Sequence, residues 1–296
     1  MLRDLGREAA DIEYVLARMA EIDADIWVLQ GVDYDAGGLA LALLAERAGF
    51  AHGFALAPNS GLASGADLDG DGRLDTPRDA QGYGRFSGAG AMAILSRYPV
   101  LEDATRDYSA LIWAELPWAT LPTYPDGRPF PSAGAKEVQR LSTTAHWSVT
   151  IAAPEGPVTL LTSYATAPVF DGPEDRNGLR NADELRLLAR MADDVEGAFV
   201  VIGDFNLDPQ AGEGLREVMA GFLKDPRWAD PVPGLPTVDF GADSAGKLRV
   251  SYALPSAGLK VLDAGVAWSD PPPSDGDTRF TRHHPVWVDV ELEGGG

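Results

Sequence analysis

Apolar positions along this chain follow two rhythms. Ile12, Val15, Leu16 and Met19 recur at helical spacing and predict a helix over residues near 7–21. Residues 39–48 predict a second helix, approached through Asp35, Gly37 and Gly38, and residues 182–191 a third. Shorter apolar runs at 26–30, 91–95, 148–151, 158–163 and 198–202 read as strands, the third and fourth as a pair. Val286, Val288 and Val290 alternate with Trp287, Asp289 and Glu291, the pattern of a half-buried strand. Residues 54–90, rich in Gly and Asp, and residues 117–137, with five prolines, read as long loops. Strands and helices interleave, yet several strands lie close enough for hairpins. That combination favours an α/β (α+β) fold, with two mixed sheets face to face and helices outside. Nothing reads as a linker, so a single domain over 1–296 is expected.

Candidate chemistry concentrates in Val200-Val201-Ile202-Gly203-Asp204-Phe205-Asn206-Leu207-Asp208-Pro209. A β-branched run drives a buried strand into a glycine, and Asp204 and Asn206 follow two residues apart. In extended backbone, residues i and i+2 point the same way. A carboxylate and a carboxamide would then share one patch at the strand mouth. The carboxylate can hold a hard cation or a nucleophilic water, and the amide can orient an oxyanion without repelling it. Phosphoester hydrolysis uses that pairing. The plainer reading is a strand running into an Asn/Asp/Pro turn.

Other motifs fall in sequence around it. Gly203-Asp204-Phe205-Asn206 resembles the signature of the endonuclease/exonuclease/phosphatase family, which includes DNase I-like nucleases and abasic-site endonucleases. Asp25-Ile26-Trp27-Val28-Leu29-Gln30 resembles the strand that carries that family's metal glutamate. Ala93-Ile94-Leu95-Ser96-Arg97-Tyr98-Pro99-Val100 is similar to its Ser-Arg-Tyr-Pro strand end. Leu160-Leu161-Thr162-Ser163-Tyr164 sits where the family has a strand ending in His or Tyr, and residues 249–256 resemble its penultimate strand. Thr281-Arg282-His283-His284-Pro285-Val286 resembles its closing Ser-Asp-His-x-Pro-Val. The resemblance spans residues 5–292. It implies a four-layer, DNase I-like sandwich with the site where loops of both sheets converge, and Mg²⁺ or Mn²⁺ as cofactor. It also implies roles: Asp204 positions or deprotonates the attacking water, Asn206 orients it, and His283 and Tyr164 hydrogen-bond the phosphate.

The departures are equally specific. Gly31 stands at the position of the metal glutamate, and Asp33 and Asp35 are candidate replacement ligands beside Asp204. The other reading of Asp33-Tyr34-Asp35 is a loop that caps the next helix. The chain starts too late to contain the family's first strand, with its asparagine: either that strand is lost, which would expose a neighbouring strand edge, or the start is truncated. Ser251 replaces the aspartate that usually orients the catalytic histidine. Three altered positions keep a second expectation open, a catalytically impaired relative acting as a binding or structural protein.

Two loops add candidates. Asp67, Asp69, Asp71 and Asp75 fall at relative positions 1, 3, 5 and 9, with Gly72 at 6, the spacing of a calcium loop. Arg78 stands where the final bidentate acid belongs, so the alternative is a solvated acidic turn. Asp171-Gly172-Pro173-Glu174-Asp175-Arg176-Asn177-Gly178 is either a substrate-facing loop, with Arg176 and Asn177 as contacts, or a polar turn before a helix. His146 is a further candidate for lining the pocket; otherwise it is a packing or surface residue.

Composition narrows the partners. Twenty-four Lys and Arg against 45 Asp and Glu leave a net charge of −21. Nucleic-acid binding draws on cationic side chains that release counterions. A small phosphoester is therefore the expected substrate, although a local basic cleft stays open. The absence of cysteine excludes disulfides, thiolate metal sites and thiol nucleophiles. No apolar run approaches the roughly 18 residues of a membrane span. Met1-Leu2-Arg3-Asp4 does not read as a signal peptide. A soluble protein is expected, cytoplasmic, or exported if the N-terminus is truncated. No serine elbow, phosphate-binding glycine loop or His-Glu-x-x-His helix is present.

Overall fold

A computed structural model of the chain describes residues 2–269 and 281–292. Its helices are α1 (Leu2–Gly6), α2 (Ala10–Ile22), α3 (Leu39–Ala48), α4 (Ala133–Val138), α5 (Arg176–Met191) and α6 (Arg216–Phe222). Its strands are β1 (Ile26–Val32), β2 (His52–Phe54), β3 (Ala91–Ser96), β4 (Val100–Asp107), β5 (His146–Ala153) and β6 (Gly156–Tyr164). They continue as β7 (Phe199–Asp204), β8 (Val238–Asp239), β9 (Lys247–Leu248), β10 (Ser251–Pro255), β11 (Lys260–Val266) and β12 (Val286–Glu291). Among the described residues no helix is long and apolar enough to cross a membrane.

Strand alternation builds the layers. On β7, Val200 joins Met92, Ile94, Trp147 and Val149 between the sheets, while Val201 packs with Leu161, Leu185 and Leu188 on the opposite face. On β1, Ile26 and Val28 face the inter-sheet core, and Trp27 and Leu29 pack with Met19 and Leu44 of α2 and α3. The result is four layers: α2 and α3, a β1-β3-β2 sheet, a β10-β7-β6-β5-β4 sheet, and α5 with α6. Each buried Leu, Ile or Val contributes roughly 1.5–3 kcal/mol. A one-residue slip would turn a strand's whole set to the wrong side, so the register is strongly specified. The β6–β7 pair is parallel, and the other pairs of the larger sheet are antiparallel. Tyr164 therefore lies opposite Asp204, and Asp204 opposite Ser251, on three neighbouring strands.

β1 ends on a bulge. The β1–β3 register shifts between Gln30 and Val32, and Gly31 sits at φ 77°. A Cβ at Gly31 would meet nothing within 4 Å. Glycine is favoured there by backbone conformation, which costs other residues roughly 1–2 kcal/mol, and not by crowding. The bulge lets Val32 rejoin Trp27 and Leu29 on the helix side.

Several expectations change. The helix expected over 7–21 is α2, over Ala10–Ile22, and a short helix not expected, α1, precedes it, the two separated at Glu8 with φ 53°. The third begins at Arg176. The proline-rich loop contains α4. The β10 segment is not the penultimate strand, because the antiparallel pair β11 and β12 follows it. β4 is an edge strand whose exposed Glu102, Asp103 and Arg106 hide it from hydrophobic periodicity. Among the described residues, β1 leaves one edge without a partner strand.

Candidate active site

Asp204 is delivered by a largely buried strand. β7 runs through Phe199, Val200 and Val201 into Gly203, where a Cβ would lie 2.2 Å from the Ser163 carbonyl oxygen. Asp204 is 4% exposed. Its Oδ1 accepts the Asn206 amide at 3.2 Å, and its Oδ2 lies 3.4 Å from Nδ1 of His283. Burial pushes this carboxyl above the usual carboxylate range, and His283 and the Asn206 amide pull it back.

Asn206 reaches the site differently from the expected strand alternation. The strand stops at Asp204, and Asn206 turns to φ 52°, a conformation asparagine tolerates better than most residues. Its Nδ2 donates to the Ala165 carbonyl at 2.8 Å, and its second N–H makes no hydrogen bond among the described residues. Phe205 anchors the turn, stacking on Tyr252 at 5.5 Å while its amide donates to Val250 O at 2.8 Å. On the neighbouring strand, burial and the Asp204 charge push the Tyr164 phenol up to about 12. It stays protonated, able to donate to an anionic oxygen.

His283 arrives from the far end of the chain. It bridges to Val238, meets the Phe240 ring edge-on at 6.0 Å, and is 37% exposed. Among the described residues its Nε2 makes no hydrogen bond and Ser251 Oγ does not reach it; its ring touches Asp204 directly. His284 points elsewhere, stacked on Trp268 at 3.8 Å.

Five sequence candidates take other duties. Asp35 caps α3, its oxygens accepting Leu39 N at 3.3 Å and Ala40 N at 2.7 Å. Those amides hold its carboxyl low. Asp33 accepts Gly90 N at 3.3 Å, and both line a cavity of about 280 Å³ with Leu41, Ala55 and Met92. Neither converges with Asp204 into a three-ligand set among the described residues. His146 does not line a pocket, which corrects that expectation. It is fully buried, with Nε2 donating to Glu184 O at 3.0 Å and Nδ1 accepting from Ser142 Oγ at 2.7 Å. Burial pushes it down to about 4, so it stays neutral. Arg176 hydrogen-bonds Leu68 O of the acidic loop, and Asn177 braces its own loop through Val169 O at 2.6 Å.

Carboxylate oxygens of Asp67, Asp69 and Asp71 lie within 4.8 Å of one another. Asp75 is outside that set, a correction to the four-acid expectation. Asp67 accepts Gly70 N at 2.6 Å and Gly72 N at 2.9 Å, which curls the loop. Arg78 Nη1 is 3.6 Å from Asp69 Oδ2.

Sequence reasoning missed the buried polar side of α5. Asn181 Nδ2 donates to Phe205 O at 2.8 Å and Thr166 O at 2.7 Å. Glu184 accepts Thr143 N at 2.6 Å and Thr166 N at 2.7 Å. Burial pushes Glu184 up to about 7 against the pull of Arg180 and those amides. These side chains tie the loop after Tyr164 to the turn after Asp204. Their spacing resembles a solvated helix start, so periodicity carries no signal of their burial.

The fold is a four-layer α/β sandwich with an Asp, an Asn and a His gathered at one strand end. The endonuclease/exonuclease/phosphatase family model matches residues 2–275, and the chain belongs to that family. At the family level this is phosphoester hydrolysis, generally with divalent metals. An endonuclease/exonuclease/phosphatase from Beutenbergia cavernae is similar at 17% identity and TM-score 0.60 over 95% of this chain and 66% of its own. A Neisseria 3′ phosphatase bound to a product DNA hairpin is similar at 16% identity and TM-score 0.54, over 96% and 95%. An AP endonuclease from Archaeoglobus fulgidus is similar at 13% and 0.54, over 95% and 94%. At these identities the likeness is one of fold. No curated protein matches the chain.

Because His283 lowers the Asp204 carboxyl, His283→Ala removes a stabilising partner of the anion. The Asp204 side chain is expected to titrate at a higher pH in that variant, read by ¹³C-carboxyl NMR. An unchanged or lower titration point contradicts the contact.

Proposed function

We propose that this protein hydrolyses small phosphoesters by in-line attack of a water held at Asp204. The observation that carries the reading is the buried Asp204 carboxylate at a strand end, touched by His283 and by the Asn206 amide. Asp204 orients the water and draws its proton. Asn206 and Tyr164 supply neutral donors to phosphoryl oxygens, and His283 supplies a third through Nε2. Asn181 keeps the two loops at fixed spacing. The net charge of −21, with Asp171, Glu174 and Asp175 on the loop that follows Tyr164, favours a small substrate over nucleic acid.

The donor set at the strand ends is sparse: one carboxylate and one carboxamide. Mg²⁺ accepts such sets, keeping waters and sharing the substrate's phosphate oxygens. Asp204 and Asn206 would hold Mg²⁺ or Mn²⁺ jointly with substrate, and the ion would counter charge on the transferred phosphoryl group. With an activated aryl phosphodiester, Asp204→Ala is expected to lose about 10²–10⁴-fold in rate, and chelation to abolish turnover. Equal rates for the variant and the parent would remove the hydrolase reading. Gly31 and Ser251 support the second reading, an impaired relative that binds phosphoesters without cleaving them, and that result would favour it.

We also propose that Asp67, Asp69 and Asp71 bind calcium, on their convergence and the loop spacing. Calorimetry on chelated protein is expected to give one Ca²⁺ site that Asp69→Asn weakens. No heat would discard it.

A further inference from the structure

Thr237 is fully buried, and it carries hydrogen bonds in three directions. Its amide donates to Leu248 O at 2.8 Å, and its carbonyl accepts from His284 N at 2.8 Å. Its Oγ1 accepts from Val250 N at 2.9 Å and Ser251 N at 3.0 Å. In regular extended backbone successive amides point in opposite directions, so two that converge on one oxygen have left that geometry, and no partner strand could take both. One hydroxyl, with two lone pairs, can. The chain bends there, and β10 begins at Ser251.

The two ends of this hub lead to the two halves of the site. Ser251 pairs with Asp204 across the β10–β7 ladder, and Val250 O accepts Phe205 N at 2.8 Å. On the other side, Val238, the next residue, bridges to His283. Thr237 therefore joins the strand end that carries Asp204 to the segment that carries His283. The route is short, with Asp204, Thr237 and His284 buried and Ser251 and His283 partly so: Asp204, Ser251, Thr237, then His283–His284.

We propose that Thr237 is a positioning residue that sets the His283–Asp204 contact through its side-chain oxygen. The functional part of this proposal rests on the hydrolase reading above; the geometric part does not. Without the oxygen, the Val250 and Ser251 amides lose their acceptor, β10 shifts at its start, and His283 moves relative to Asp204. Misplacement of a reacting group by about 1 Å can cost on the order of 100-fold.

The test is a graded series, Thr237→Ser, Thr237→Cys and Thr237→Val. Serine keeps the acceptor, cysteine keeps a weak one, and valine keeps the shape without it. Two readouts are taken on folded protein: the His283 ring signals in a ¹H–¹³C spectrum, assigned by their loss in His283→Ala, and phosphodiester turnover. The ring signals are expected to stay at the parent position in Thr237→Ser and to move progressively through Cys to Val. Turnover is expected to fall about 10- to 100-fold in Thr237→Val, in kcat with KM little changed, and to be restored in Thr237→Ser. On a His283→Ala background, Thr237→Val is expected to cost no further factor beyond about two-fold, the non-additivity of residues acting through one contact. A merely structural threonine would cost the same on both backgrounds. If valine does not fold, the Ser–Cys comparison still decides. Ring signals that ignore the series overturn the proposal. An inactive parent protein whose ring signals follow the series sinks the hydrolase reading and leaves the Thr237 geometry standing.

Discussion

A carboxylate enclosed by protein survives as an anion only where neighbours replace the water it lost. Asp204 is such a group. Withdrawing an ionised carboxylate from water costs several kcal/mol, and each hydrogen bond to the charge returns roughly 1.5–3 kcal/mol. The Asn206 amide and His283 are the partners that pull its carboxyl back down. Both come from segments whose paths must be held: one by an asparagine at positive φ, the other by a chain returning from beyond β11.

Much of the surrounding structure follows from that requirement. The parallel β6–β7 pair and the antiparallel β7–β10 pair bring Tyr164 and Ser251 to either side of Asp204. Asn181 and Glu184 on α5 fasten the loops beyond the strand ends, and Thr237 fastens the opposite side. Polar side chains thus occupy positions where a core would ordinarily be apolar. Such groups are high-stakes, because an interior of low dielectric strengthens each hydrogen bond made and raises the cost of each one missed. The site is a buried hydrogen-bonded frame with one open side.

The layers were legible in the sequence where one face is apolar and the other is not. β7, β3 and the paired β5–β6 announce themselves by runs of Val, Ile and Leu, and α3 by its spacing. Asp204 and His283 were legible through motif resemblance, though nothing in composition links residues so far apart in the chain. Illegible elements share a physical cause. β4 is polar because it is an edge; the start of α5 is polar because its buried side chains bond to backbone, not to water. Gly31 was readable as a lost ligand but not as a bulge, since register depends on the partner strand β3. Asp35 shows the same limit: an acid four residues before a helix carries one meaning as a ligand and another as a cap, and only the amides of Leu39 and Ala40 decide.

The account stands on the cradle formed by Asp204, Asn206 and His283. Crystals of the protein soaked with inorganic phosphate, and solved to a resolution that places its oxygens, test this most directly. Phosphate at the end of β7, within hydrogen-bonding distance of Asn206 Nδ2 and His283 Nε2, is the result the account requires. Phosphate bound at full occupancy elsewhere, with the strand end holding only water and the His283 ring turned away from Asp204, would contradict it.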